Sequence, residues 1–579
     1  MFQVLRFSLI LGLISLYSAA QSARQPNTAP QPASSQAKSA TEVPASGNDG
    51  VISTPSLLEQ AQLFYRRGDF DSALAKYQGI LKDHPQSPDA YAGMVQVYLK
   101  QKRVEEAAKT SEQGMAQTNS PRLRVARAEV WFRQGRIYEA EKEWVDIINS
   151  GSPEARAYLG LARVRDALMM YKTAKKLLDR AHELDSSDPD IEEEWVGTLS
   201  RAERIKYLET ALGGQNNWDA SEREDTASYL EYLKERAKQK VSPCRLVSTV
   251  SATETPLVPL LSDPQHLRGY GLAVFLNGHK SSIMLDTGAS GILVKRGIAE
   301  HAGISKITAT KVSGIGKKGR RNAYVGVADS IKIGELEFRD CPIEVMESRS
   351  VVGEDGLVGA DVFEDFLVDI DFPNEKLKLQ QLPPRPGEAE QKIALKSEED
   401  DSDRDEDMAN SDAKQSDAKS AEARNQPSPY SGPQDRYIAP EMQSYTRIFR
   451  FGHQLLIPTS IGKVREKLFV LDTGSLTNFI SPAAAREVTK VHGDSDTVVE
   501  GISGRVDKVF SANKAVLTFG HLRQENQDMT AFDTKPISDD VGTEISGFLG
   551  FTTLRFLDIK IDYRDALVDF QYKPRPWDR

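Results

Sequence analysis

The sequence of 579 residues has only two cysteines, no excess of basic residues and none of the common motifs for metal or nucleotide chemistry. Two thiols cannot build a cysteine-rich structural zinc site. A formal net charge of −10 argues against a general nucleic-acid binder, which needs a basic surface. The chain contains no His-Glu-x-x-His helix, no Gly-x-Ser-x-Gly elbow and no phosphate-binding loop. We therefore expect no metal and no cofactor.

Long apolar runs are absent beyond the N-terminus, where "FSLILGLISLY" follows a weakly basic start at Arg6. The small residues of "SAAQSA" then offer cleavage after Ala20 or Ser22, which predicts a signal peptide over residues 1–22. No later stretch has the roughly 18 apolar residues that a membrane-spanning helix needs. We expect an exported protein, periplasmic or extracellular, with no membrane span after cleavage. An uncleaved membrane anchor is the alternative.

The two cysteines, Cys244 and Cys341, are far apart in the sequence. Export permits a disulfide between them. A bridge also requires the two Cα atoms to lie close together, which the sequence does not reveal. A disulfide and two buried free thiols both stay open.

Residues 23–54 are rich in Ala, Ser, Pro and Gln, a composition that predicts a flexible linker.

Residues 55–240 have a repeating helical pattern. Four apolar-x-x-Ala motifs place alanines 34, 33 and 34 residues apart, at Ala73, Ala107, Ala140 and Ala174. This period resembles a tetratricopeptide array of about four repeats. Such an array is a solenoid, and it implies a concave surface for a protein partner or substrate. A scaffold or spacer is the alternative.

Two β-rich segments follow, at residues 245–382 and 437–575. Residues 383–436 between them are acidic, Ser-rich and nearly free of aromatic side chains, which predicts a disordered linker. An acidic interaction tail is the alternative interpretation.

The two β segments repeat one pattern. The first contains "IMLDTGASGILV" around Asp286, and the second contains "FVLDTGSLTNFI" around Asp472. Each continues with a Gly-Ile pair 28 or 29 residues after the aspartate, and then with "GLVG" or "GFLG". Matching landmarks at matching spacings indicate an internal duplication of one β unit.

Each unit resembles a lobe of a retropepsin-like aspartic protease. The resemblance implies a multidomain chain in which an α-helical tetratricopeptide solenoid precedes two mainly-β acid protease lobes. It also implies a set of site residues: catalytic Asp286 and Asp472; a supporting turn of Thr287, Gly288, Ala289, Thr473, Gly474 and Ser475; and flaps containing Gly314, Ile315, Gly316, Gly501, Ile502 and Gly504.

The chemistry explains why two copies are needed. Two carboxyl groups about 3 Å apart cannot both ionise comfortably, so they share a proton. The ionised group can then activate water while the protonated group donates to the substrate oxygen. The sequence thus predicts an exported aspartic endopeptidase that acts on peptide or protein substrates. The alternative is a non-catalytic peptide-binding or assembly protein that uses the repeats and a degenerate protease-like fold.

The two copies differ beside the aspartates. Ala289 in the first copy corresponds to Ser475 in the second, and Ser290 corresponds to Leu476. A hydroxyl beside a carboxylate favours its ionised form, so we expect Asp472 to carry the negative charge more often than its partner. Leu476 leaves open whether the second lobe is fully active. The linker is long enough for the two lobes to meet within one chain, which we expect over pairing between chains.

Overall fold

The computed structural model describes residues 56–214, 244–263, 265–348, 354–386 and 435–573, together with nine positions between 223 and 237. The predicted signal peptide, the flexible linker over residues 23–54 and most of the acidic linker lie outside the described residues. Helices come first and strands follow, which confirms the predicted fold class. Within the described parts of the chain, no helix is both long and apolar enough to cross a bilayer.

The helical region consists of antiparallel helices joined by short turns. They run over Leu57–Arg66 (α1), Phe70–Asp83 (α2), Pro88–Lys100 (α3), Val104–Gln117 (α4), Pro121–Arg133 (α5), Ile137–Asn149 (α6), Ala155–Ala167 (α7), Tyr171–Leu184 (α8), Pro189–Thr198 (α9) and Arg201–Gly213 (α10). The chain divides into two compact units, one ending at Ala126 and the other beginning at Arg127.

The four motif alanines Ala73, Ala107, Ala140 and Ala174 are all buried. The turn before each of their helices contains one residue with a positive φ. Gly68 and Gly135 supply this conformation in the first and third repeats, at φ 71° and 70°. Lys102 and Met169 adopt it in the other two, at φ 58° and 64°. The turn geometry therefore persists where the sequence lacks the glycine that signals it.

Large aromatic side chains fill notches made by glycines on the next helix. A Cβ atom on Gly93 would lie 2.2 Å from the ring of Tyr77, and one on Gly160 would lie 2.3 Å from the ring of Trp144. Both rings are almost fully buried. The close approach of each helix pair therefore depends on the absence of a side chain at these two glycines.

In the unit that begins at Arg127, the turn between α5 and α6 packs on the second β segment. The hydroxyl of Thr543 donates to the Phe132 carbonyl at 2.6 Å, and the Glu544 N–H donates to the Arg133 carbonyl at 2.9 Å. The rings of Phe132 and Phe451 lie 6.1 Å apart. Backbone and side-chain contacts together join these helices to the strands.

Most strands of residues 245–382, the first lobe, form one large sheet. Its strands are Arg245–Leu246 (β1), Val258–Asp263 (β3), His266–Leu276 (β4), His279–Asp286 (β5), Ile292–Lys295 (β6), Lys306–Val312 (β7), Arg321–Ile333 (β8), Leu336–Met346 (β9) and Gly356–Gly359 (β10). Strands Ala252–Pro256 (β2), Phe366–Asp371 (β11) and Lys376–Gln381 (β12) join a second sheet. A short helix, Arg296–His301 (α11), follows β6, and a 3₁₀ turn, Ala360–Phe363, follows β10.

The second lobe repeats this topology. Its large sheet contains Phe449–Phe451 (β14), Gln454–Ile461 (β15), Lys467–Leu471 (β16), Phe479–Ile480 (β17), Val491–Asp494 (β18), Val509–Phe519 (β21), Leu522–Phe532 (β22) and Gly547–Leu549 (β23). Strands Glu500–Gly501 (β19) and Gly504–Arg505 (β20) form the flap. Three further strands belong to the second sheet: Thr446–Arg447 (β13), Leu557–Asp562 (β24) and Leu567–Tyr572 (β25). The short helices of this lobe are Pro440–Met442 (3₁₀), Pro482–Arg486 (α12), Lys535–Val541 (α13) and Phe551–Leu554 (α14).

A six-stranded sheet joins the lobes in the order β13-β25-β24-β11-β12-β2. Three strands come from each lobe, and the seam is the antiparallel pair of β11 with β24. Apolar side chains from both lobes form one continuous core. Backbone hydrogen bonds and apolar packing thus both join the two lobes.

Cys244 and Cys341 form a disulfide, with Cα atoms 3.9 Å apart. The bond fastens the start of the first lobe to β9, because Cys341 lies in the middle of that strand. Of the two alternatives that the sequence left open, the structure shows the bridge.

Both ends of the predicted acidic linker are held by one buried carboxylate, that of Asp565. Arg385 donates to its Oδ1 atom at 2.6 Å, and the Tyr437 N–H donates to the same atom at 2.9 Å. Arg436 donates to the Asp565 carbonyl at 2.8 Å. The residues next to the linker are thus brought together on the second lobe, and residues 387–434 lie outside the described residues.

Candidate active site

Asp286 and Asp472 follow matching strands in the centres of the two large sheets. β5 ends at Asp286 beside the parallel strand β10, and β16 ends at Leu471 beside the parallel strand β23. In each lobe the residues just before the Asp-Thr-Gly turn, residues 283–285 and 468–471, are apolar and buried. The turns project from the two sheets toward each other at the lobe interface.

The threonines of the two turns are hydrogen-bonded across the interface. The Thr287 N–H donates to the hydroxyl of Thr473, and the Thr473 N–H donates to the hydroxyl of Thr287, each at 3.0 Å. Each hydroxyl also donates to the opposite strand, to the carbonyl of Leu471 at 2.7 Å and to that of Leu285 at 3.0 Å. These four buried bonds fix the distance and orientation of the two turns.

The glycines of the turns let the opposite carboxyl group approach closely. A Cβ atom on Gly474 would lie 2.4 Å from the carboxyl carbon of Asp286. One on Gly288 would lie 3.0 Å from the carboxyl carbon of Asp472. A side chain at Gly474 would displace the carboxyl group of the other lobe, so the motif requires glycine there.

The two carboxyl groups are buried and lie next to each other, since a Cβ atom on Gly288 would be 3.1 Å from an oxygen of Asp472 and 3.3 Å from an oxygen of Asp286. Burial raises the pKa of Asp286 well above its usual range, and the charge of Asp472 raises it further. Burial also raises the pKa of Asp472, but hydrogen bonds from Ser475 oppose this effect. A proton is therefore held by the pair at a pH where an exposed aspartate would be ionised.

The two aspartates have unequal hydrogen-bond donors. The carboxylate of Asp472 accepts from the hydroxyl of Ser475 at 2.6 Å and from the N–H groups of Gly474 and Ser475 at 3.0 and 2.9 Å. Asp286 accepts from the Gly288 N–H at 2.8 Å, and Ala289 offers no hydroxyl. The geometry thus favours charge on Asp472 and the shared proton on Asp286, in the direction expected from the sequence.

The predicted flap residues of the two lobes contact one another as a pair of loops. The first flap, between β7 and β8, contains Gly314, Ile315 and Gly316. The second flap, formed by β19, β20 and the turn that joins them, contains Gly501, Ile502 and Gly504. A Cβ atom on Gly316 would lie 2.2 Å from the Gly504 carbonyl oxygen. The two tips therefore touch through their backbones.

Ser503, which the sequence interpretation did not single out, joins the flaps. Its hydroxyl donates to the Gly319 carbonyl at 2.7 Å and accepts from the Gly314 N–H at 3.3 Å. Its N–H donates to the Ile315 carbonyl at 3.0 Å, and its carbonyl accepts from the Lys318 N–H at 2.8 Å. A sequence signal was present, since a serine replaces the last glycine of the first flap's Gly-Ile-Gly.

Farther along each turn the lobes diverge. Ser290 donates to Asp361 at 3.1 Å, and the Gly291 N–H donates to the same carboxylate at 3.0 Å. At the position of Ser290, the second lobe has Leu476, whose side chain is 52% exposed. In the second lobe, Asn478 stabilises the turn instead, because its side-chain oxygen accepts a hydrogen bond from the Gly550 N–H at 2.8 Å.

A histidine outside the motifs also reaches the site. His453, in the turn between β14 and β15, lies beside the backbone of Gly288. Burial lowers the pKa of His453 to about 4, and Arg450 lowers it further. A neutral imidazole therefore supports the first aspartate turn from the other lobe. No motif marked this residue, because the contact arises only when the lobes pair.

Three aspartates on the seam sheet, Asp369, Asp371 and Asp558, are close enough to share a cation. Lysines already neutralise this group, since Lys378 lies 2.8 Å from Asp371 and Lys573 is paired with Asp558. The cluster is accounted for by these ion pairs, and it lies on strands of the seam sheet rather than on the aspartate turns.

Comparisons with known proteins agree with this architecture. Residues 272–362 match the aspartyl protease family model, and residues 64–130 match a tetratricopeptide-repeat model. Tetratricopeptide repeats and an aspartyl protease region thus both occur in the chain, within the residues that the two models match. The protease match covers the first lobe only, so the assignment of the second lobe rests on its repeated topology and sequence pattern.

Curated relatives match over a short region. The chain is 31% identical over 108 residues to the UBA domain-containing protein Mud1 of Schizosaccharomyces pombe, which is 18% of this chain and 31% of that protein. It is 32% identical over 111 residues to the DNA damage-inducible protein 1 of Chaetomium globosum, which is 19% of this chain and 24% of that protein. The chain thus spans no more than a third of the length of these relatives.

Solved structures resemble separate parts of the chain. A retropepsin-like aspartic protease from Rickettsia conorii is 21% identical and covers 22% of this chain and 92% of its own, with a TM-score of 0.18. A thermophilic tetratricopeptide-repeat protein of Thermus thermophilus is 22% identical and covers 30% of this chain and 97% of its own, with a TM-score of 0.25.

Proposed function

We propose that the protein is an aspartic endopeptidase that hydrolyses peptide bonds with a dyad of Asp286 and Asp472, one from each lobe of a single chain. The observation that carries the proposal is the pair of adjacent, buried carboxyl groups, held by the crossed bonds of Thr287 and Thr473. A binding module has no need of two carboxyl groups buried against each other, because burying them is costly.

Hydrolysis begins with one water molecule between the carboxyl groups and the scissile carbonyl. The carboxylate of Asp472 takes a proton from this water as the water oxygen attacks the carbonyl carbon. Asp286 donates its proton to the carbonyl oxygen at the same time. The product is a neutral tetrahedral intermediate, and the charge has passed from Asp472 to Asp286.

Collapse of the intermediate restores the dyad to its starting state, with one proton on Asp286 and none on Asp472. The protonated Asp472 donates to the amide nitrogen as the carbon–nitrogen bond breaks, and Asp286 recovers a proton from the hydroxyl of the intermediate. The dyad is active only with one proton on the pair, so activity falls as the pH drops below the lower apparent pKa. It also falls as the pH rises above the higher one, which burial and the adjacent carboxylate shift upward.

The substrate is a peptide in an extended conformation under the two flaps. The flap tips close the site through Ser503, and they must separate for a chain to enter. Strand-like backbone hydrogen bonds between the flaps and the peptide would hold it in place. The repeats are proposed to dock a partner or substrate protein.

Export is part of the proposal. The N-terminal apolar segment supports it, and the disulfide between Cys244 and Cys341 agrees with an oxidising compartment. Intramolecular pairing of the lobes is also proposed, supported by the backbone pairing of β11 with β24.

The test is cleavage of a mixed peptide library by the purified full-length protein between about pH 3 and pH 7, where singly protonated dyads act. The control is the variant with both Asp286→Asn and Asp472→Asn, which keeps the size of the side chains. We expect discrete cleavage products with the natural protein and none with the variant. No cleavage at any pH would refute the proposal, and cleavage by both proteins would show that another site or a contaminant is responsible.

A further inference from the structure

The walls that flank the two aspartate turns are built from different side chains. In the first lobe, a separate apolar cluster packs against both Ala289 of the aspartate turn and Ile502 of the opposite flap. This cluster contains Leu260, Met284, Leu293, Val312, Ala323, Met346 and Leu357. It therefore joins the turn that carries Asp286 to the flap residue Ile502, and it is referred to below as the wall of the first lobe.

Strand register identifies the corresponding wall of the second lobe. Leu293 and Phe479 both lie seven residues after their aspartates. Leu293 is paired with Leu357, and Phe479 is paired in the same way with Phe548. Two positions of the aliphatic wall are therefore occupied by phenylalanine in the second lobe.

The third position follows from the neighbouring parallel strands. Val294 pairs with Val345, so Met346 comes next along β9. Ile480 pairs with Ala531, so Phe532 comes next along β22. The second lobe thus replaces two leucines and one methionine of the first by three phenylalanines.

The three rings of the second lobe pack on one another. Phe479 meets Phe532 edge to face at 5.2 Å, and Phe532 stacks on Phe548 at 6.0 Å between ring centres. All three are buried. Rings locked in mutual contact make a full and rigid wall, whereas leucine and the flexible methionine can shift to make room.

We propose that the two halves of the cleft select side chains of different size, a large aliphatic side chain against the first lobe and a small one against the second. The aromatic cluster of Phe479, Phe532 and Phe548 determines this difference. A peptide is consequently bound in one direction only, although the two lobes are related by an internal repeat. The inference rests on the proposed function, because it requires a peptide in the cleft.

The test compares side-chain preferences on the two sides of the cleaved bond. The natural protein is incubated with a mixed peptide library, and the products are sequenced to read the residues on each side. Phe548→Leu opens the second wall, and Leu357→Phe fills the first at the matched position. Phe519→Leu is the control, because this ring is equally buried in the second lobe but packs on Phe570 in the seam sheet. Thermal unfolding of all variants establishes that each one is folded.

We expect the natural protein to require a large aliphatic residue on one side of the bond and a small residue on the other. Phe548→Leu should raise cleavage of peptides with a large residue on the restricted side by about tenfold or more, the scale of one methylene in an apolar pocket. Leu357→Phe should reduce cleavage of peptides with a large residue on the permissive side. Phe519→Leu should change neither preference.

Equal size preferences on both sides of the bond, or preferences that the two wall variants leave unchanged, would overturn the inference while the proposed function stands. A second measurement separates the reverse case. Peptides retained by Asp286→Asn protein are sequenced, so selection is read without catalysis. One-sided selection by a protein that never cleaves would refute the proposed function and keep the inference. A protein that neither cleaves nor retains any peptide would contradict both.

Discussion

The hydroxyl of Ser475 is the most consequential difference between the two aspartate turns. It donates to the carboxylate of Asp472 at 2.6 Å, in a buried site, while Ala289 offers nothing to the other aspartate. A hydrogen bond to a charged group contributes roughly 1.5–3 kcal/mol. Because two backbone N–H groups still hold Asp472 when the hydroxyl is gone, we take the lower end, about 1.5 kcal/mol, for Ser475→Ala.

About 1.4 kcal/mol corresponds to a tenfold change in a proton-binding equilibrium. Loss of the hydroxyl makes the ionised form of Asp472 less favourable, so the lower apparent pKa of the dyad rises. At a given pH on the acidic side of the optimum, the rate should therefore fall about tenfold relative to the natural protein. The rate at the optimum should change much less, because most of the dyad then still holds one proton.

The assay is the pH dependence of kcat/KM on a peptide that the protein cleaves. Ser475→Thr keeps a hydroxyl and should keep the acidic limb near its original position. Ser290→Ala is the matched control, because that serine donates to Asp361 and not to the dyad. An acidic limb that stays in place in Ser475→Ala would refute the reasoning that this serine sets the charge of Asp472.

Three further predictions concern stability and the flaps. Thr473→Val leaves two buried backbone groups of the first lobe without partners and should lower the free energy of unfolding by about 2–5 kcal/mol; a loss below about 1 kcal/mol in denaturant titrations would contradict the role of the crossed bonds. Reduction of the bridge between Cys244 and Cys341, which are 97 residues apart, should lower the free energy of unfolding by about 2–4 kcal/mol; a double serine variant should show no effect of reductant. Ser503→Ala removes the hydroxyl that joins the flaps, and it should raise KM about fivefold with a smaller change in kcat. The measurement is steady-state kinetics. An unchanged KM would show that the flaps are held by their backbones alone.

The duplicated motifs predicted the two-lobed architecture and the residues that meet at its centre. Apolar strands ending in Asp-Thr-Gly have few ways to fold, and the repeat spacing fixed which residues correspond. The tetratricopeptide period likewise singled out alanines, such as Ala73 and Ala140, that are buried in the structure.

Contacts between distant parts of the chain could not be predicted in this way. The pairing of β11 with β24, the role of Ser503 between the flaps and the contact of His453 with Gly288 each depend on how the lobes meet. The positive φ of Lys102 was hidden because the repeat geometry overrides the residue's own preference. The linker ends held by Asp565 carry no motif, since a single buried carboxylate joins segments far apart in the sequence.

The central claim is that one aspartate from each lobe of the same chain forms a single dyad. Asp286→Asn and Asp472→Asn are assayed separately and as an equal mixture, on a peptide that the natural protein cleaves, with thermal unfolding as the control for folding. Each single variant should lose at least about a thousandfold in kcat/KM, since groups that act as a unit fail when either is removed. The mixture should be as inactive as its components. Recovery of activity on mixing would show that the dyad forms between chains, and near-normal activity of either single variant would contradict a two-aspartate mechanism.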